Sequence, residues 1–386
     1  RMLGGLKAHY RRRFVWHFVR ADTTLGVSVR HDSIANTLYH AQARQRIDAL
    51  TDHDVRETSL GVFLKEEIAF SSFVRLVAGL RADGFFFDVT DRRELLPSDG
   101  TRPVDEAQKT SGTRSAQLLS PKLSLIVSPH RVIDLFANVG YGFHSNDARG
   151  VVRGKAPVTP LTPALGYEIG ARTRLSDRLD LALALWGLDL RGELVWSGDE
   201  GTTEASGATR RLGLEFETRL RIWDFLHFDF DFTANDARFR ETTERGNAVP
   251  LAPRVTLSSG LSLQTKFGLR GSLRFTGITQ RPATEDEFLI AQGAYLFDAF
   301  LGYRFRFVEV SVSVENLLNQ RYKQAQFAIT SRLPSEPSQS APPPPSACPS
   351  STRAKSGSDG NFLGCEDVSF TPGYPINARF TVSLFY

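Results

Sequence analysis

The sequence predicts an all-β protein, an antiparallel transmembrane β-barrel of about 15 strands. Three observations predict it. Apolar and polar residues alternate with a period of two in many segments, these segments are long, and short and long connections follow one another in turn. Alternation of this kind gives a strand one apolar and one polar face, as a wall between lipid and a lumen requires.

The alternation assigns residues to the two faces of the predicted wall. It is clearest in segments 211–222, 225–232, 308–315 and 376–386. The residues predicted to face lipid are Leu212, Leu214, Phe216, Phe228, Phe230, Val310, Val312, Phe380 and Val382, and those predicted to face the lumen are Glu215, Glu217, Asp229, Glu309 and Arg379.

The predicted strands are long enough to cross a bilayer. They lie near 2–12, 15–31, 55–68, 73–90, 115–128, 132–146, 163–175, 179–196, 208–222, 225–240, 252–266, 268–280, 292–306, 308–324 and 374–386. Twelve residues tilted by about 45° span roughly 28 Å, close to the hydrocarbon core of a membrane. Strands of soluble sheets usually have about 5 or 6 residues.

The connections predict the orientation of the barrel. Short turns are expected near 69–72, 129–131, 176–178, 223–224, 267 and 307, and long loops near 32–54, 91–114, 147–162, 197–207, 241–251, 281–291 and 325–373. Bacterial barrels have short periplasmic turns and long extracellular loops. Fifteen strands do not fit the even count of a closed single-chain barrel, so strands are expected to be missing or miscounted by one.

The longest loop, 325–373, contains a low-complexity Pro/Ser/Gly segment, including four consecutive prolines from Pro342, that cannot build a core. Cys348 and Cys365 lie in it. Two cysteines this close suggest a local disulfide in an oxidising compartment, although two free thiols remain the alternative.

Composition and motifs exclude several function classes. There is no apolar run near the roughly 20 residues of a membrane helix. With 47 basic and 43 acidic residues, the chain has no concentrated basic face for nucleic acid. Nucleotide-binding, metalloprotease and serine-hydrolase motifs do not occur, so neither an enzyme nor a cofactor is predicted.

Some polar and aromatic groups invite a functional interpretation that the sequence does not favour. The Asp52-His53-Asp54 segment is interpreted as a polar loop rather than a metal site. A group on one strand face, formed by Asp189, Arg191 and Glu193, is interpreted as a lumenal charged patch. The larger aromatics are interpreted as an interfacial girdle rather than a ligand site: Trp186, Trp196, Trp223, Tyr141 and Tyr303.

Several motifs resemble the C-terminal part of TonB-dependent outer-membrane receptors. Residues 314–322, VENLLNQRY, resemble the end of the family's penultimate strand, with Asn316, Leu317, Asn319 and Tyr322 at the motif positions. Segments 120–124, 141–149 and 166–170 resemble strands farther upstream. The last strand resembles the family's closing strand, whose outward row of Phe380, Val382, Leu384 and Tyr386 resembles an assembly signal.

This resemblance implies that residues 1–386 are a partial receptor barrel. The family has 22 strands around an N-terminal plug, so Arg1 would begin near the eighth strand. Because residues 1–7 do not form a secretion signal, the natural start is expected upstream. The signal peptide, the plug and about seven strands would then be absent.

The resemblance also implies a function and partners. It implies a monomeric active-transport receptor in the outer membrane of a Gram-negative bacterium. Such a receptor takes up a scarce small molecule, a ferric siderophore first, with energy coupled from the TonB complex through the plug. Outer-membrane lipid and the barrel-assembly machinery are implied partners. A passive porin-like channel is the alternative, and a soluble β-rich binding or structural protein is a third possibility.

The expected lumenal arginines could serve a ligand or the plug, and the sequence leaves both open. They are Arg210, Arg211, Arg219, Arg221, Arg270 and Arg274.

Overall fold

A computed structural model describes residues 1–17, 19–92, 110–154, 157–197, 202–243, 246–331, 348–349, 351–356 and 362–385. Its main feature is one antiparallel sheet of fifteen long strands that follow each other in chain order. These strands are β1 Met2–Trp16, β2 Val19–Gln42, β3 Gln45–Ala69, β4 Val74–Asp91, β5 Gly112–His130, β6 Ile133–Ser145, β7 Leu161–Ser176, β8 Leu179–Leu190, β11 Thr209–Trp223, β12 Leu226–Thr243, β14 Val255–Gln264, β15 Leu269–Ile278, β18 Ala294–Phe305, β19 Val308–Glu315 and β23 Asn377–Leu384.

Shorter elements lie in the connections at one end of this sheet. They are α1 Ala148–Val152, β9 Glu193–Ser197, β10 Thr202–Ser206, β13 Gly246–Ala248, β16 Arg281–Pro282, β17 Ile290–Ala291, β20 Lys323–Ser331, β21 Arg353–Ser356 and β22 Phe362–Pro372. The connections at the other end are turns of a few residues, such as 131–132, 177–178, 224–225 and 306–307. The predicted fold class, fifteen main strands and alternation of short and long connections are confirmed.

The first and last main strands remain apart. Within the described residues, β1 pairs only with β2 and β23 pairs only with β19. The expected opening between them is present. No helix among these residues is both long and apolar enough to cross a membrane.

The predicted long loop at 32–54 is wrong. Strands β2 and β3 continue as a paired hairpin to a turn at Ala43 and Arg44, both with positive φ. Polar cross-strand contacts support this extension, including Thr37 Oγ1 donating to Asp52 Oδ1 at 3.4 Å. A hairpin outside the membrane needs no alternating apolar face, so the sequence pattern gave no sign of it.

Three strand boundaries also differ from the prediction. β1 continues to Trp16 instead of ending near residue 12, and β8 ends at Leu190 before a separate hairpin of β9 and β10. β19 ends at Glu315 because Asn316 and Asn319 adopt positive φ and turn the chain. Residues with positive φ interrupt the hydrogen-bonded pairing of a strand, so β19 ends although the hydrophobic pattern continues into Leu317 and Leu318.

The register places the predicted residues on two faces as expected. Leu214 pairs with Leu185, and Val312 pairs with Phe380 on the apolar face. Glu217 pairs with Asp231 on the polar face. Two ion pairs on the polar face, Arg270–Glu309 and Arg274–Asp229, reach across an intervening strand. The sheet therefore curves with this face inside.

A small hydrophobic core closes the inner face at the long-loop end. Phe85, Phe87 and Val89 of β4 point inward there, and Ala148 and Val151 of α1 pack on them. Val151 is fully buried. The helix α1 therefore lies over the inner wall and is held there by apolar packing.

Phe87→Ala tests this packing. Removing a side chain with 1% exposure should cost about 3–5 kcal/mol locally. Amide exchange at residues 148–152, measured in detergent micelles, should then become faster by about tenfold or more. Phe86 is the matched control, because it is adjacent, 55% exposed and on the other face. Equal exchange in Phe87→Ala and Phe86→Ala would contradict the packing.

Candidate functional site

The inner wall is lined by charged side chains that neutralise one another. Arg219 Nη1 lies 2.7 Å from Asp231 Oδ1, and Arg270 Nη1 lies 2.9 Å from Glu309 Oε2. Three of the six arginines singled out from the sequence thus pair with acids on the inner face, namely Arg219, Arg270 and Arg274.

Glycine allows one of these pairs to span a strand. Asp229, Gly260 and Arg274 lie side by side on β12, β14 and β15. Arg274 Nη1 reaches over the glycine to Asp229 Oδ1 at 2.9 Å. A Cβ at residue 260 would lie 2.4 Å from Arg274 Nη1, so a side chain there would displace the ion pair.

Two predicted inner-wall groups are placed wrongly by the sequence interpretation. Arg210 shares the outward face with Leu212, and its Nε lies 2.7 Å from Asp189 Oδ1 on the same face. Asp189 therefore belongs to no lumenal patch with Arg191 and Glu193. Arg210 and Arg211 are consecutive residues of β11, and consecutive side chains of a strand point to opposite faces. The two arginines therefore cannot both lie inside.

Among the aromatics interpreted as an interfacial girdle, three are exposed on the outside and one is not, and the side chain of Trp196 is outside the part that the structure describes. Tyr141 and Tyr303 are exposed on the outward face, and Trp223 is exposed beside a short turn, where it stacks on Phe225. Trp186 instead lies on the inner face, opposite Glu168 and over Gly213. It contributes to the wall and not to the girdle.

A patch of the inner wall carries charged side chains of both signs. Two adjoining hollows of about 530 and 600 Å³ share Lys122, Ser124, Asn138 and Glu168. Lys122 and Arg172 line this patch and form no ion pair with a described residue. Asp134, Glu168 and Glu215 line it as well. The patch can therefore contact charged groups of either sign placed inside the wall.

His53 takes part in a buried polar contact. His53 Nε2 lies 2.6 Å from Thr110 Oγ1, which donates to Asp91 Oδ2 at 3.3 Å. Asp52 and Asp54 lie on the opposite face and pair with Arg92. No cluster of metal-ligating side chains occurs among the described residues.

The long-loop end forms a packed assembly around the hairpin 281–291. Ala283, Leu289 and Ala291 of the hairpin are buried against Leu251 and against the β20–β22 ribbon. Glu287 joins this hairpin to Arg238 and Arg254 at 3.0 and 2.6 Å. These contacts link three connections into one body.

Asp286 fastens the same hairpin to the last loop through Arg353. Burial opposes the charged form of this carboxyl. Hydrogen bonds from Thr284 Oγ1, Arg353 and the Phe288 amide outweigh that effect and lower the pKa of Asp286 to about 2. The carboxylate therefore stays ionised, and the contact persists, well below neutral pH.

The ends of the last loop are ordered by a sheet and a disulfide. β20, β22 and β21 form a three-stranded sheet within the predicted loop 325–373. The predicted disulfide between Cys348 and Cys365 is confirmed, with Cα atoms 5.7 Å apart. The prolines 342–345 and most of the Ser/Gly-rich run lie outside the described residues.

The motif at 316–322 forms the turn that carries the chain into this sheet. Asn316 is 4% exposed, and its Nδ2 donates to Gln320 O at 2.8 Å and Tyr374 O at 3.0 Å. The Ile376 amide donates to Asn319 Oδ1 at 3.0 Å, and Gly373 N donates to Tyr322 O at 2.8 Å. Leu317 is partly exposed and bonds through its amide to Phe297 O.

The outward row of the last strand is exposed as a lipid-facing row would be. Phe380, Val382 and Leu384 alternate with inner residues of β23, and Tyr386 lies outside the described residues. The assembly role of this row stays a prediction. Comparing outer-membrane insertion of the protein with and without its final residue tests it, and equal insertion would count against it.

A long antiparallel sheet with an apolar outer face, a charge-paired inner face and loops gathered at one end defines the wall of an outer-membrane β-barrel. The family model "TonB dependent receptor-like, beta-barrel" matches residues 5–317, well over half of the chain. The chain belongs to this family, whose members reside in the outer membrane of Gram-negative bacteria.

Solved structures show the same fold at low sequence identity. The ferric-catecholate import receptor Fiu from E. coli K12, in its closed form, has 15% identity and a TM-score of 0.68 over 99% of this chain and 54% of its own. The unliganded ferric citrate transporter FecA has 15% identity and a TM-score of 0.69 over 99% and 54%. The ferric yersiniabactin uptake receptor FyuA from Yersinia pestis has 14% identity and 0.66 over 100% and 54%.

The chain therefore spans about half the length of these structures. No curated protein matches its sequence.

Asn316→Ala tests the motif turn. The substitution removes the three hydrogen bonds that the buried Asn316 side chain makes to Gln320 O, Tyr374 O and Gln320 N, which should cost roughly 1–3 kcal/mol. Amide exchange at 317–322 and 374–376 should become faster, while exchange in the middle of β18 stays unchanged. Asn377→Ala is the control, because Asn377 is exposed. The turn assignment is wrong if both variants behave alike.

Proposed function

We propose that this chain is the barrel wall of a receptor that takes up a ferric siderophore with energy coupled through TonB. The observation that carries the proposal is the family match over residues 5–317. The uptake reaction belongs to the whole receptor, of which this chain is one part.

The charges of the described residues favour recognition at the loop end rather than along the wall. Arg219, Arg270 and Arg274 are neutralised by acids beside them, so they offer little free charge to an anionic chelate. The loop assembly around 281–291 is held by buried apolar contacts and ion pairs, and it exposes the aromatic ring of Phe288. Rigid loops on a barrel rim are suited to binding a ligand from outside.

The inner patch around Lys122 and Arg172 is suited to a different contact. In this family the lumen holds a plug domain, and this patch offers both cations and acids to the charged groups of such a domain. We assign the lumenal wall to plug contacts and the loop end to the ligand. The last loop, 325–373, is then part of the extracellular binding face.

An iron chelate is favoured as the ligand class by the proteins with the same fold. Their names record ferric-catecholate import, ferric citrate transport and ferric yersiniabactin uptake. Identity near 15% transfers the fold alone, so the ligand remains part of the proposal. The proposal also includes contact with outer-membrane lipid, insertion by the barrel-assembly machinery and a monomeric state.

Uptake of radioactive iron tests the proposal. The complete natural gene is expressed in a Gram-negative strain that lacks its own siderophore receptors, with and without TonB. A panel of ferric siderophores should yield at least one that enters saturably, and this uptake should fall to background when TonB is absent.

The competing passive channel gives a different result. Uptake that rises linearly with concentration and does not change without TonB would overturn the proposal. A strain producing the same protein with Phe86→Ala serves as a control for expression, because Phe86 is exposed on the outward face.

A further inference from the structure

A pocket of about 530 Å³ lies where the last loop leaves the barrel wall. It is called the rim pocket here and lies between segments 319–323 and 370–375, with Gln292 at its edge. Two cations, Arg321 and Lys323, line it, together with the amide side chains of Asn319 and Gln320 and the ring of Phe370. None of the described residues that line it is Asp or Glu.

The two cations of the rim pocket differ from the arginines of the inner wall. Neither Arg321 nor Lys323 forms an ion pair with a described residue. Lys323 Nζ lies 4.2 Å from the centre of the Phe370 ring. A ring face stabilises an ammonium group without neutralising its charge, so the charge remains available to an anion.

Two amide groups add hydrogen-bond donors. Asn319 Oδ1 accepts from the Ile376 amide at 3.0 Å, and Gln320 Oε1 accepts from the Tyr295 amide at 3.2 Å. With the oxygens engaged, the NH₂ groups are left to donate elsewhere.

The frame behind these donors is rigid. Buried Asn316 holds Gln320 at both its amide and its carbonyl, each at 2.8 Å. The Tyr322 ring lies over Gly373, where a Cβ would be 2.3 Å from the ring. Donors that are held in place before binding lose less entropy when a ligand arrives.

We propose that the rim pocket binds a phosphate-bearing group. A phosphate monoester carries about 1.5 to 2 negative charges and three acceptor oxygens. Two unpaired cations match that charge, and the arginine fork with the two amides matches the oxygens. The group can come from a lipid of the outer leaflet or from a dissolved phosphoryl compound. The site is independent of which chelate the receptor transports.

Binding measurements on the complete natural protein in detergent test the proposal. One arm titrates inorganic phosphate by calorimetry. The other measures retention of phosphatidic acid against diacylglycerol by native mass spectrometry. The variant is Arg321→Gln with Lys323→Gln, and the control is Arg131→Gln with Lys266→Gln, which removes the same charge from exposed turns at the opposite end.

If the rim pocket binds phosphate, the variant should bind at least one of the two probes about tenfold more weakly than wild type, or weaker still. The control should bind both probes as wild type does. Loss of phosphate binding identifies a dissolved source, and loss of phosphatidic acid alone identifies a lipid source. Equal binding of both probes by wild type, variant and control, including no binding at all, overturns the proposal. Heat-modifiable migration in electrophoresis verifies that every variant is folded. None of these readouts depends on TonB or uptake.

Discussion

Lipid offers no hydrogen-bond partner to a peptide group, and this constraint governs the main sheet. Each long strand between the first and the last satisfies its backbone groups by antiparallel pairing with its neighbours in chain order. Once the backbone is satisfied in this way, side chains alone decide which face meets lipid. The period-two sequence then has one arrangement available, with rows such as Leu212, Leu214 and Phe216 outside and Glu215 and Glu217 inside.

Placing many charges on one face creates a second requirement, which is met within the sheet. Inner acids and arginines pair across neighbouring strands, and in one case across Gly260, so that little free charge remains along most of the wall. Arg321 and Lys323 at the rim pocket differ, because they form no ion pair with a described residue and none of the described residues lining their pocket is an acid. Unneutralised charge marks places where another group can bind.

The sequence predicts well the features that the bilayer imposes on the strands. It predicts poorly the features that depend on contacts between loops. Fifteen strands and the two faces follow from alternation, which lipid enforces. The hairpin around Ala43, the β20–β22–β21 sheet and the seat of α1 on Phe87 follow from contacts between distant segments, which a local pattern does not encode. Arg210 and Trp186 were misplaced because residue type was weighed above parity along the strand.

The motif residues illustrate the same limit at the level of single side chains. Asn316, Asn319 and Tyr322 are recognisable in the sequence as family positions. Their contacts can be seen only in the structure, because their partners lie more than fifty residues later, at Gly373, Tyr374 and Ile376. The disulfide between Cys348 and Cys365 could be predicted from the sequence because both cysteines lie in one loop. The rim pocket could not be predicted, because it is formed by residues about fifty positions apart in the chain.

The central claim is that parity along a strand decides between lipid and lumen. Spin labels on single added cysteines at Val312 and Ser313 test it most directly, because these neighbours lie on opposite faces of β19. In bilayers, the label at 312 should collide more often with lipid-soluble oxygen than with a water-soluble nickel complex, and the label at 313 should show a lower oxygen-to-nickel ratio. Equal ratios at the two positions, or a higher ratio at 313, would contradict the account.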